Sequence, residues 1–383
     1  MTSSTNTRHE LVQNALNRVV AEGGAPGVAA EIRDGDGTWF GSAGVSDRET
    51  GRRREPGDQF HAGSVGKAFT AAAVLTLEAE GRLGLDDTVD SWLPGVVRGN
   101  GNDGTRITIR QLLTHTSGLG ITGLSPEIVR KYHTRQGFAE HRYDVWTVEK
   151  LLKSQMDIPP RYEPGEAFAY ANGGYHLAGA VIEKVTGRRY EDEIDRTVIQ
   201  PLGLTNTYPR TFDERRFRGP HTRAYSRMLL RDGVDPDSLT PDNYASFLVG
   251  PEVDPVDITD RTYFGWAAGG VVSTTGDLLG VIHALITGVL LPPAQHRTMW
   301  TTVPTRDWIP HARYGTGVAQ WELADGRVLH VVSGVEGGTA CMAAGAPDGA
   351  LTVAIHLNAD WNWYLSCDQI IEAAFGAPFR MAA

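Results

Sequence analysis

The sequence predicts an α+β fold: one antiparallel sheet flanked by helices, with an all-helical segment inserted between its first and last strands. Three observations predict it. Strand-like runs fall at the two ends of the chain, at Val28–Ile32 and Trp39–Val45 and again at Gly317–Leu323, Val328–Ser333, Cys341–Ala346 and Leu351–Leu357. The stretch Ser64–Glu80 is apolar on nearly every face, as a helix enclosed by protein must be. The middle of the chain reads as helices and loops. Strands from both ends can then share one sheet around the insertion. This divides the chain into a discontinuous sheet-and-helix domain, 1–81 with 266–383, and an inserted helical domain, 82–265.

Each element has its own signal. Glu10–Glu22 is an amphipathic helix, with Leu11, Leu16, Val19 and Val20 near helical spacing and Gly23-Gly24 ending it. Asp34-Gly35-Asp36-Gly37 is a hairpin turn joining the first two strands. Gly81 stops the apolar helix. Val148–Lys153, Gly174–Thr186 and Tyr190–Ile199 are helical. The stretch at about 210–262 is polar, irregular and interrupted by Pro220, Pro236, Pro241, Pro251 and Pro255; so long a stretch without regular structure is usually functional or disordered. Gly269–Ser273 is a short strand, Thr275–Ile286 a helix, and Cys367–Phe375 a closing helix.

Composition narrows the function. The 383 residues include 36 Lys and Arg against 46 Asp and Glu, a formal charge of −10, with 41% hydrophobic residues. A chain this long buries roughly 75% of its unfolded surface and needs no staple. The acidic balance offers no global field for nucleic acid or an anionic membrane, and the Arg52-Arg53-Arg54 run reads as a solvated turn. Two cysteines, Cys341 and Cys367, make neither a disulfide framework nor a metal cluster, and no cofactor or metal is expected. Met1–Asn14 is polar, without the apolar core of a secretory signal, and no run is long enough to span a bilayer, so a cytoplasmic protein is expected.

The sharpest local feature is Ser64-Val65-Gly66-Lys67. Ser64 sits where a strand runs into the buried helix, so its amide lies at a helix N-terminus, which favours a developing anion. Lys67 lies about one turn further along the same face, within reach of the Ser64 hydroxyl. A serine is a weak nucleophile until a base takes its proton, and a desolvated lysine can do that. Standing alone, Ser-x-x-Lys is also what a capped helix with an early lysine looks like. It is joined by Tyr170-Ala171-Asn172, which alternation places on one side of the chain ahead of an apolar helix. Three further blocks follow the same pattern: Gly81-Arg82-Leu83-Gly84-Leu85-Asp86-Asp87, Leu112-Leu113-Thr114-His115-Thr116-Ser117-Gly118-Leu119 and Ala268-Gly269-Gly270-Val271-Val272-Ser273-Thr274.

With these blocks in this order, the chain resembles the serine β-lactamase-like superfamily, on the branch of class C β-lactamases, DD-carboxypeptidases, D-aminopeptidases and related esterases. The resemblance runs from about Glu10 to Phe375. It implies an α/β sandwich with an inserted all-α domain and an active site between them. It implies Ser64 as acylated nucleophile, Lys67 and Tyr170 sharing base and acid duty, and Asn172 holding the Lys67 amine or a substrate amide. The oxyanion hole would use the Ser64 amide and a sheet-edge amide at Gly338. The sequence lacks a Ser-Asp-Asn element, so the class A pattern fits worse.

The third motif departs from the family, where it is His-x-Gly or Lys-Thr-Gly. Aligned on Gly334 and Gly337-Gly338, the cationic position is Val335, giving Val335-Glu336-Gly337; a one-residue shift would put Glu336 there. His330 is roughly 16 Å upstream along a strand and a poor substitute. Either the chain is a binding relic, or its substrate carries no carboxylate at that point; the retained Ser64, Lys67, Tyr170 and Asn172 favour the second. His61 reads as a packed strand residue and His115 as part of a structural turn. Trp363 and Tyr364, with Trp361 and Asn362, could wall the acceptor pocket or pack on the sheet, and Tyr263, Phe264 and Trp266 the opposite wall. The expected activity is that of an intracellular esterase or ATP-independent transacylase acting on a small-molecule ester or amide donor, with water or an amine as acceptor. The alternatives are a D-aminopeptidase or amidase, a β-lactamase or DD-carboxypeptidase, and a non-catalytic binding protein.

Overall fold

The computed structural model describes residues 3–121, 125–240, 243–305 and 308–380. The elements that build and flank its main sheet are α1 (Ser3–Ala21), β1 (Gly27–Asp34), β2 (Gly37–Gly44), α2 (Gly66–Ala79), α3 (Asn172–Thr186), α4 (Thr275–Thr287), β3 (Val303–Pro304), β4 (Ala312–Tyr314), β5 (Ala319–Glu322), β6 (Val328–Glu336), β7 (Thr339–Gly345), β8 (Thr352–Leu357) and α5 (Trp363–Phe375). Among the described residues these strands form one eight-stranded sheet in the order β3-β4-β5-β6-β7-β8-β1-β2. Every pairing in it is antiparallel. The N-terminal hairpin joins the C-terminal strands through β1 against β8, in the register Val28↔Leu357 to Arg33↔Thr352. The last strands are continuous apolar runs because helices cover both faces. The strands β3 and β4, at one end of the sheet, are too short to leave an alternating signature.

On one face α1 and α5 pack through Val12, Leu16 and Val19 against Ile370 and Ile371. Leu11, expected in that stripe, is half exposed instead; Val12 and Ala15 take the inward positions. On the other face α2 and α4 share a continuous apolar cluster with the helices of the middle segment. Helix α2 buries Ala68, Phe69, Ala72, Leu75 and Leu77 almost completely, so it is surrounded as its composition predicts. Burying Phe69, Leu75 and Leu77 contributes on the order of 1.5–3 kcal/mol each.

The strand at 269–273 is Val271–Ser273, and it belongs to a separate three-stranded sheet with Phe60–His61 and Tyr208–Pro209. That small sheet delivers the chain into the turn Gly63–Val65 ahead of α2. The basic run is not wholly solvated. Arg54 is buried, 3.8 Å from Asp58 and bonded to His356 Nδ1 at 2.8 Å, while Arg52 reaches Asp58 at 2.8 Å. Cys341 and Cys367 are free and buried.

Candidate active site

Ser64 lies in the single turn Gly63–Val65 that runs directly into α2. The chain enters this turn through Gly63 in the left-handed region (φ +51°), where strand β6 passes close by: a Cβ on Gly63 would lie 3.3 Å from the Val335 carbonyl. One turn on, Lys67 is almost fully buried, and its amine donates to Ser64 Oγ at 3.0 Å and to the Ala268 carbonyl at 2.7 Å. Burial penalises the ammonium form and brings the Lys67 pKa down to about 7. Its surroundings are the faces of Tyr170, 4.9 Å away, and Tyr175, 5.5 Å away.

Tyr170 closes the triangle. Burial holds its phenol well above the usual range, and a hydrogen bond with Ser64 offsets part of that. It therefore carries its proton at neutral pH. The ring stacks on Trp308 at 5.7 Å, with 14° between the planes. His115 holds the backbone on either side of Tyr170: its carbonyl accepts from Ala169 N–H at 2.7 Å and its Nδ1 from Ala171 N–H at 3.2 Å. This bracket requires the neutral ring, and burial with the nearby Lys67 keeps the His115 pKa well below the ordinary histidine value. His115, expected as a turn residue, thus also positions Tyr170. Its signal was the block Leu112–Leu119, which names a turn without naming what the turn holds.

Asn172 opens α3, but its side chain is exposed and does not hold the Lys67 amine; Ser64 and Ala268 do. It sits instead where two cavities meet. The first, of about 340 Å³, is lined by Tyr132, Phe138, Leu229, Tyr263, Phe264 and Glu336 among others. The second, of about 400 Å³, has Tyr170, Trp308, Tyr314, Val332 and Trp363 in its wall. Ser64, Asn172, Met228 and Val335 line both. Of the aromatic residues singled out in the sequence, Tyr263, Phe264 and Trp363 line the cavities. Tyr364 does not; it packs away from them against Trp321 and Phe379. Trp266 is buried in the core against Tyr190. Trp308 and Tyr314 gave no sequence signal, since their segment has no period. His61 is packed between Phe217 and Arg210, as expected of a strand residue.

Two expectations for the third motif are corrected. Gly338 cannot offer its amide to an oxyanion, because that N–H donates to Asp360 Oδ2 at 2.7 Å. Strand β6 turns into β7 over Gly337-Gly338 in the register Glu336↔Thr339, Gly334↔Cys341. In a two-residue hairpin the flanking pair exchanges both hydrogen bonds, so residues 336, 334 and 332 spend their N–H groups on β7. Ser333 and Val335 point theirs the other way. Strand β5 begins at Ala319, opposite Val331, and leaves that edge open. The sheet-edge amide beside Ser64 is therefore that of Val335.

The motif's frame moves with it. The glycine that meets the Ser64 turn is Gly334, where a Cβ would lie 2.0 Å from the Ala62 carbonyl oxygen and 2.8 Å from Ser64 N. Gly337 instead faces Ile258 and Arg261. The side chain two residues before Gly334, on the same face of the sheet, is Val332, which lines the second cavity. The motif reads Val332-Ser333-Gly334, and its cationic position is still aliphatic. Glu336, one residue past Val335, is buried against Arg261 and Tyr263; desolvation raises its pKa and Arg261 opposes the rise.

The family model for β-lactamases matches residues 12–362. The structure of a D-stereospecific amidohydrolase from Streptomyces sp. superposes with a TM-score of 0.84 and 36% identity, covering 96% of this chain and 98% of that one. Esterase EstB of Burkholderia gladioli is 32% identical over 213 residues, 54% of this chain and 53% of its own length. Penicillin-binding protein 4* of Bacillus subtilis is 27% identical over 294 residues, 72% of this chain and 56% of its own. The chain thus spans about half the length of these two curated relatives.

Proposed function

The chain belongs to the β-lactamase family, and from that premise we propose that it is a serine hydrolase that cleaves small esters and amides with a bulky apolar acyl group, of the D-aminoacyl class, through an acyl-enzyme on Ser64. The observation that carries the reading is the pair of apolar, aromatic-lined cavities meeting at a serine whose base is an amine brought down to about 7. The likeness to the D-stereospecific amidohydrolase over nearly the whole chain favours the D-aminoacyl class over a simple acetyl esterase.

In this mechanism the neutral Lys67 amine takes the Ser64 proton as Oγ attacks the carbonyl. The oxyanion is met by the amides of Ser64 and Val335, a pair of donors whose individual loss typically costs about 10²–10³ in rate. Tyr170, protonated and bonded to Ser64, passes its proton to the departing alcohol or amine and regains one from the Lys67 ammonium, which restores the neutral amine for the next step. Asn172, exposed at the junction of the cavities, is placed to bond the donor's amide or amine. The acyl group occupies the first cavity and the leaving group or incoming acceptor the second. Water completes hydrolysis. An amine entering the second cavity completes acyl transfer, which conserves the ester's free energy in an amide without ATP.

Intact-mass analysis tests this. D-phenylalanine methyl ester should add one acyl group to the wild type, the L-ester far less, and Ser64→Ala should gain nothing. With an added amine the adduct should decay faster and yield the amide. Equal labelling of Ser64→Ala would end the acyl-enzyme reading; equal labelling by both enantiomers would end the D-aminoacyl assignment.

The aliphatic third motif gives a second expectation. With Val332 at the position the family's third motif gives to a cation, nothing there meets a substrate carboxylate, and nitrocefin turnover should be slow. Val332→His should raise nitrocefin turnover relative to a neutral ester. No change in that ratio would show that the carboxylate is selected elsewhere.

A further inference from the structure

The irregular stretch at about 210–262 meets the sheet at more than one place; Arg261 pairs with Glu336 and donates to the Gly337 carbonyl at 3.2 Å, and a second junction is built on a buried carboxylate. Along Ala224–Met228 it lies against the ends of β7 and β8: Tyr225 bridges to Ala359 in parallel, and its N–H donates to the Gly338 carbonyl at 3.1 Å. Asp360, just past β8 and 5% exposed, sits at the junction. Its Oδ1 accepts from Arg227 N–H at 2.9 Å. Its Oδ2 accepts from the Ser226 hydroxyl and, at 2.7 Å, from the Gly338 amide. Ser226 Oγ in turn accepts from Met228 N–H at 3.1 Å. The next residue, Trp361, takes the Arg227 guanidinium over its ring at 4.3 Å. The two sides tied by this one carboxylate are the two walls of the first cavity. Ser226, Met228 and Leu229 stand on one side and Val335, Glu336 and Gly337 on the other.

We propose that Asp360 is a positioning residue that sets the width of the acyl cavity, by fixing Ser226–Met228 at one distance from the Gly337–Gly338 turn that ends the oxyanion strand. The inference rests on the reading of Ser64 as nucleophile and of this cavity as the acyl site. A carboxylate is required because three donors converge on two oxygens. The Ser226 hydroxyl can turn round, but the amides of Arg227 and Gly338 cannot. An asparagine would point its own NH₂ at one of them, leaving that N–H unpaired and setting two donors against each other. The turn has no room to shift and compensate: a Cβ on Gly338 would already lie 2.7 Å from the Ala224 carbonyl carbon. Behind Ala224–Met228 lie two small apolar clusters, Val129 with Leu230 and Tyr244 and Phe138 with Ala224 and Ile258, and neither reaches across to Gly338 as the Asp360 carboxylate does.

The test compares two p-nitrophenyl esters on the full chain, acetate and 3-phenylpropanoate, which share a leaving group and differ in how far they fill the cavity. Asp360→Asn should raise KM for the phenylpropanoate by about tenfold or more and leave acetate kcat/KM within about twofold, because only the larger acyl group touches the displaced wall. Ser226→Ala, which removes one of the three donors and leaves the carboxylate, should show a smaller shift in the same direction and serves if Asp360→Asn does not fold. Equal loss on both esters, or no change on either, would overturn the proposal. Adduct mass on the wild type separates this from failure of the premise: an inference that fails alone leaves Ser64 acylated by both esters.

Discussion

Lys67→Met is expected to abolish ester turnover and to raise the melting temperature by several degrees at pH 6, with the gain shrinking by pH 9. The reason is the amine's burial. In the unfolded chain the lysine has its ordinary pKa of 10.5, and in the fold it falls to about 7. Between those values the unfolded chain binds the proton that the folded chain has lost, so stability rises with pH across that window. Below about 7 both states are charged and the full penalty of an ammonium in an apolar site is present, on the order of 5 kcal/mol. Methionine has nearly the same shape and none of that penalty. It does leave the Ala268 carbonyl without its donor, which returns about 1–3 kcal/mol. Activity follows the opposite logic. Only the neutral amine can accept the Ser64 proton, so kcat/KM should climb with pH through a midpoint near 7, and Lys67→Arg should be inert because a guanidinium keeps its proton. Melting curves at pH 6 and 9 and a pH–rate profile check both halves. A Lys67→Met chain less stable than wild type at pH 6 would show that the amine is charged and paired in the fold.

What could be read from the sequence divides along a physical line. Helix α2 was legible because a run of Ala, Phe, Val and Leu on all faces has few other fates, and the Ser64–Lys67 contact because one helical turn fixes it without help from the rest of the chain. The shared sheet followed from strand-like runs at both ends. Asp360 and Val335 act through contacts between segments far apart in sequence, and no period marks such contacts. The third motif offered Gly334, Gly337 and Gly338, and only the approach of β6 to Ser64 selects among them. The segment Ala224–Met228 carried no pattern because its ladder with Val256–Asp257 is only two residues long and the rest of its backbone is satisfied by a side chain and by strand ends. Arg54 in the basic run was misplaced for the same reason: its partners, Asp58 and His356, lie four and about three hundred residues away.

Gly334→Ala is expected to lower kcat by about 10²–10³ while leaving the fold of the sheet intact. The methyl group would enter a space already held by the Ala62 carbonyl oxygen at 2.0 Å and Ser64 N at 2.8 Å, both backbone atoms with no rotamer to move. Either the nucleophile turn or strand β6 must retreat. The strand yields more readily, because beyond Val331 it has a partner on one side alone, whereas the turn is welded to α2 and bonded to the small sheet by Ala62 N–H to the Val271 carbonyl. Movement of β6 carries the Val335 amide away from the oxyanion position and leaves Ser64, Lys67 and Tyr170 in place. The loss should therefore fall on kcat more than on KM, since the donor acts chiefly on the charge that develops in the transition state. Acylation by a slow, irreversible phosphonate, whose tetrahedral adduct needs the same two donors, should drop by a similar factor. If Gly334→Ala lost activity only through KM, the close approach of β6 would be a packing constraint and the oxyanion donor would have to lie elsewhere on the sheet edge.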